Sequence, residues 1–199
     1  MKHTLLAILF LIQIYVFSQQ SKKDKFNLFI TDSKGDLNKD LYFDKVVITE
    51  DTINDKLPYK LEIFFAQPNR KFKLIASTTK IIEAQYPNGK KGLQNQEKIP
   101  DFLIEKGNLI IVYDIEKGHS AYTFRFQKGN FELINVEKIT LINQDQGTTV
   151  DEEFNLLTGV RTQKIQSYSG KTMMKKKKKI FIKPLPKIQD IKPFENEFY

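Results

Sequence analysis

Along most of the chain apolar and polar residues alternate with a period of two, and stripes at helical spacing are scarce. In Tyr122–Gln127 the residues Tyr122, Phe124 and Phe126 share one side, while Thr123, Arg125 and Gln127 share the other. That is the pattern of an antiparallel strand with one face buried and one in water. Around it, Asn108–Ile115, Ser120–Gln127 and Asn130–Ile142 predict three consecutive strands. Glu116–His119 joins the first two. The two-residue Lys128–Gly129 joins the next, with glycine supplying the positive φ of a tight hairpin.

Upstream, Asp44–Glu50, Lys60–Ala66 and Arg70–Thr78 predict strands, the last two forming a hairpin about Pro68 and Asn69. "YPNGKKG" (Tyr86–Gly92) is the strongest turn signal, and Asn95–Phe102 reads as a loop returning to the sheet. After a polar loop, Arg161–Ser169 and Lys175–Pro186 predict two further strands. Ile188–Tyr199 predicts a short helix or a packed extended end. The expectation is a mainly β, antiparallel single domain of seven or eight strands with little helix, built as one strongly curved sheet or a sandwich. No repeat of 20–50 residues is evident.

The first residues change the picture of where the chain goes. Lys2 and His3 precede an apolar run, Thr4–Phe17, and Val16 and Ser18 are small enough for the −3 and −1 positions of a signal peptidase site. As a helix this run reaches only about 21 Å, short of a hydrocarbon core roughly 30 Å thick. Residues 1–18 are therefore expected to be a cleaved signal peptide, with residues 19–199 an exported domain in the periplasm or the medium. No later segment approaches membrane-spanning length.

The chain has no Cys, which removes disulfides, thiol nucleophiles and Cys-based metal sites, and past the signal its one histidine is His119. The net charge of +8 favours solubility and a weak attraction to anionic surfaces.

Candidate chemistry is sparse. Oxygen-bearing side chains stand at Asp36, Asn38, Asp40 and Asp44, just before a β-branched run. These are places 1, 3, 5 and 9 of a tight loop, the spacing from which hard oxygens converge on calcium. "GDLNKD…DKVVI" resembles the D-x-[DN]-x-D-G-x-x-D loop of FG-GAP and VCBS-type extracellular repeats. The resemblance implies a structural calcium ion on a β scaffold. The chain departs from that pattern at the sixth place, where Leu41 replaces glycine at a cost of roughly 1–2 kcal/mol. Val47 stands where an EF-hand carries its bidentate Glu, so that loop type is excluded. The alternative is a polar turn whose Asp and Asn side chains hydrogen-bond their own backbone.

The loop, the "YTFRFQKGNFELI" hairpin and "FNLLTG" (Phe154–Gly159), in that order, resemble a family of small exported proteins from Bacteroidota and other bacteria. That resemblance implies a fold and an export route, and no catalytic residue.

"KKKKK" (Lys175–Lys179) suggests a polyanion site. On a strand Lys175, Lys177 and Lys179 would share one side. A lysine-lined edge strand also guards against aggregation. "YSGKT" (Tyr168–Thr172) lacks the first glycine of a phosphate loop, that place being Ile165. Asp151–Glu153 with Asp145 could supply paired carboxylates for glycan hydrolysis or stand as a solvated loop. His119 has no identifiable triad partner. The leading expectation is a non-enzymatic exported β module, with a weak calcium site at residues 36–44, that binds or scaffolds an extracytoplasmic protein or glycan. The alternatives are a carboxylate-based hydrolase of envelope glycans and a polyanion-binding module working through Lys175–Lys179. Nucleic acid is the least expected partner.

Overall fold

A computed structural model describes residues 25–94, 99–143, 147–167 and 169–196, and these described residues form two antiparallel sheets and no helix. The first sheet is a meander of β1 (Phe26–Gly35), β2 (Asp44–Asp51), β3 (Tyr59–Ala66) and β4 (Phe72–Thr78). The second contains β5 (Asp101–Glu105), β6 (Asn108–Ile115), β7 (Gly118–Gln127), β8 (Asn130–Asn143), β9 (Thr148–Asn155), β10 (Val160–Gln166) and β11 (Thr172–Lys179), again in chain order. The mainly β expectation holds as a two-sheet structure, and the strand count rises from seven or eight to eleven among the described residues.

Alternation drives the packing. Every second residue of β2, and of β3 from Leu61 onward, is buried, and Val46, Ile48, Leu61, Ile63 and Phe65 pack with Leu109, Ile111, Tyr122, Phe124, Phe131 and Leu133 of the larger sheet within one core. Each such aliphatic or Phe side chain, fully buried, contributes roughly 1.5–3 kcal/mol. Phe65 bridges the sheets edge-on to Phe126, with ring centroids 4.8 Å apart. The sheets also meet at one side, where the Ser33 hydroxyl donates to the Phe102 carbonyl and Gly35 passes over Ile104. A Cβ on Gly35 would lie 2.6 Å from Ile104 Cγ2, so only glycine allows this approach.

Two hairpins share one turn chemistry. Lys106–Gly107 and Lys128–Gly129 each place both residues at positive φ, 52° and 77° in the first and 52° and 78° in the second. That is the primed turn whose twist matches its strands.

β9 pairs with β8 only from Asn135 onward, which leaves the start of β8 with an open edge. The chain's end closes it. Leu133 N–H donates to the Pro186 carbonyl at 2.8 Å and Ile188 N–H to the Phe131 carbonyl at 2.9 Å, while Ile188 and Ile191 are buried beneath. The described part of the tail is thus a packed extended end, the second of the two forms expected. The expected strand at Lys175–Pro186 instead starts at Thr172 and stops at Lys179.

Three strands were not expected. β1 carries bulges and exposes Leu28 and Phe29, so its polarity does not alternate. β5 has only five residues. β9 contains the acidic triplet 151–153 in place of the expected polar loop. No helix among the described residues is long and apolar enough to cross a membrane. The expected signal peptide and Asp145 lie outside the described residues.

Candidate functional site

The 36–44 loop is held by its own oxygens. Asp36 Oδ1 accepts N–H bonds from Lys39 at 2.6 Å and Asp40 at 3.2 Å, and Oδ2 accepts from Leu41 at 2.9 Å. Asn38 Oδ1 accepts from Asp40 N–H at 3.1 Å, and Asp40 Oδ1 from Tyr42 N–H at 2.9 Å. Asp44 points into the core and is fully buried, with Oδ2 accepting from Leu37 N–H at 2.8 Å and Oδ1 from Ala66 N–H at 2.9 Å. Burial pushes its carboxyl above the usual range; the two backbone bonds oppose that shift, and the nearby Asp40 and Asp36 add to it.

Leu41 adopts φ 72°, the left-handed turn that calcium loops of this type make with glycine, and its side chain is 91 % exposed. The four expected residues stand in one loop and their donor types suit calcium, but Asp44 is turned into the core, and among the described residues no three acidic or histidine side chains are grouped to hold a metal ion. Each side-chain oxygen among them is already oriented by a hydrogen-bond donor, so an ion would have only the remaining lone pairs.

The lysine strand reads differently once its register is known. Two cross-strand rows run over the core side of the larger sheet. One passes from Tyr122 through Val136, Phe154 and Arg161 to Lys178. The other passes from Ser120 through Lys138, Glu152 and Gln163 to Lys176. Tyr122 and Phe154 are buried and Val136 nearly so, which fixes the parity: the even-numbered lysines, with Arg161, continue the inner face.

The expected set Lys175, Lys177 and Lys179 lies on the outer face. Lys175 stands in a row with Lys164 and Asp151, and Lys177 in a row with Thr162 and Glu153. Lys179 Nζ rests 5.2 Å over the ring of Phe181.

The second layer stops before this region. Buried apolar residues come from each of β5 to β9, and none comes from β10 or β11. Beyond the four-stranded sheet the inner face is open and forms a continuous depression. One part, of about 220 Å³, is lined by Tyr122, Lys138, Glu152, Arg161 and Phe194 among others. The adjoining part, of about 610 Å³, is lined by Glu152, Arg161, Gln163, Lys176, Lys177 and Lys178. Glu152 Oε1 lies 3.5 Å from Arg161 Nη2 and accepts from Gln163 Nε2 at 3.2 Å, so the carboxylate holds the guanidinium and the amide together at the floor.

Compared with protein-family models, curated proteins and solved structures, the chain matches none. Its chemistry rests on its own geometry.

Glu152 and Glu153 are neighbours on a strand and face opposite sides. His119 is exposed on β7, opposite Asp114. Sequence reading missed Arg161, Gln163, Lys138, Lys176 and Lys178 as a group. A signal was present in "FNLLTGVR": a four-residue connection, Leu156–Gly159, pairs Asn155 with Val160 and hence buried Phe154 with Arg161.

Proposed function

We propose that this chain is an exported, non-enzymatic β module that binds its ligand on the open inner face of β8–β11. The observation that carries this reading is the mismatch between the two sheets: seven strands against four, with the uncovered inner face lined by cations instead of apolar residues. A face that served only to build a core would be capped or apolar. The apolar segment Thr4–Phe17 supports export, and the spread of carboxylates over opposite faces supports binding without hydrolysis. The test is incubation of residues 19–199 with a panel of neutral and anionic glycans, scoring both co-sedimentation and release of reducing ends. Binding without release is expected. Release that disappears in Glu152→Gln would establish the hydrolase instead.

A structural calcium ion at Asp36, Asn38, Asp40 and Asp44 is a second reading, favoured by the left-handed Leu41. It would brace the start of β2 and leaves the ligand face unchanged.

A further inference from the structure

Resting on that reading, we infer that the ligand of the open face is an anionic polysaccharide, held by Lys138, Arg161, Lys176 and Lys178, with the outer-face Lys164 and Lys175 taking no part. The argument begins with charge. On the inner face of the paired stretch of β8–β11, those four cations stand against the single carboxylate Glu152. On the outer face, Lys164, Lys175, Lys177 and Lys179 stand among Glu137, Asp151 and Glu153. The same strand thus has a nearly balanced side and a strongly positive side, and the positive side is the concave one. A concave surface with low-dielectric walls focuses its potential on whatever enters it.

Within the depression the groups are arranged for extended, repeating anions. Successive strands place cross-strand neighbours about 4.8 Å apart, close to the rise of one sugar residue. Arg161 and Lys178 are direct cross-strand partners, as are Gln163 and Lys176. Glu152 fixes the Arg161 guanidinium from one side. Pre-orientation of this kind suits planar, two-point recognition of carboxylate or sulfate. Gln163 adds an amide for hydroxyl groups.

Other polyanions fit less well. A membrane surface is flat and does not enter a depression of this kind. A single-stranded nucleic acid needs a series of exposed aromatic platforms along its basic track, whereas Tyr122 and Phe154 here are buried in the core and the exposed Phe194 stands at one end, away from the lysines of β11.

The two faces supply an internal control, because a pair of lysines can be removed from either one at the same cost in charge. Binding of residues 19–199 to heparin, as a sulfated polysaccharide, would be measured by calorimetry against neutral dextran. Lys176→Gln/Lys178→Gln would be compared with Lys164→Gln/Lys175→Gln, the cross-strand pair on the outer face. The two variants lose the same charge, and matching melting temperatures would confirm that both fold. Loss of the inner pair is expected to weaken heparin binding about tenfold or more, and loss of the outer pair less than about twofold. Equal weakening by both pairs would overturn the assignment to the inner face, since bulk charge alone would then suffice. Failure of the unaltered chain to bind heparin would overturn the anionic ligand, while the neutral-glycan panel would still decide whether the chain is a binding module. Tighter, parity-dependent binding to single-stranded DNA or to anionic lipid vesicles would overturn the polysaccharide.

Discussion

Asp44 opens β2 and ties the polar loop to the end of β3, and its removal is the sharpest test of how that corner is built. Its carboxylate is fully buried and satisfies Leu37 N–H and Ala66 N–H. Asp44→Ala would leave both donors without their partner. An unsatisfied buried donor costs about 1–3 kcal/mol. Two of them, less the relief from no longer burying a carboxylate, give a net loss of roughly 3 kcal/mol. For a chain of this size that lowers the melting temperature by about 6–12 °C. Asp40→Ala, which touches only the exposed Asn38 amide and Tyr42 N–H, should cost less than about 1 kcal/mol. The assay is thermal unfolding followed by circular dichroism, in chelator throughout, with both variants beside the unaltered chain. A melting temperature for Asp44→Ala within 2 °C of the parent, at about the instrument's resolution of a 1 kcal/mol change, would refute the account of the corner.

Hydrogen-bonded closure of the 36–44 loop predicts the same melting temperature in chelator and in millimolar calcium. A rise of about 5–11 °C in calcium, lost in Asp36→Ala, would establish the ion instead. Asp44 and Glu50 are both shifted upward, chiefly by burial. Their contribution to stability is therefore fully present below the unfolded-state values and is lost as pH rises through the folded-state values. Lowering pH from neutrality into the carboxylate range should accordingly raise the melting temperature by their share, and Asp44→Asn/Glu50→Gln should flatten the profile. Tyr59 is pushed up to about 12, by burial first and then by Glu50, so its share is lost as pH climbs from 10 towards 12. Alkaline titration should show Tyr59→Phe losing less stability over that range. Gly118 adopts φ 154°, and a Cβ there would sit 1.9 Å from the Ile139 carbonyl oxygen. Gly118→Ala should cost about 2 kcal/mol or more in urea unfolding, by forcing β7 off β8.

The three strands between Asn108 and Asn143 were legible because their two faces meet different solvents, core on one side and water on the other. β1 was not, because neither of its faces is fully buried and two register shifts break its period. β9 reads as a polar loop because Glu152 and Asp151 face a hydrated depression and a charged outer sheet. Its strand identity comes from pairing with β8 and β10, a tertiary effect that overrides local propensity.

The candidate site was half legible. The lysine run announces a basic edge strand, but a run of identical residues carries no parity. Which lysines look inward is set by the four-residue turn after Asn155 and by the buried anchors Val136 and Phe154. The acidic loop was legible in its spacing and in the turn at Leu41. Its oxygens' partners were not, since Ala66 lies 22 residues away from Asp44.

The claim that the open inner face of β8–β11 is the ligand surface is tested most directly by mapping a bound oligosaccharide on the isotope-labelled chain by NMR. Titration with a heparin oligosaccharide should move the signals of Lys138, Arg161, Gln163, Lys176 and Lys178 and leave those of Lys164 and Lys175 in place. Shifts centred on the 36–44 loop, or spread evenly over both faces of β11, would contradict it.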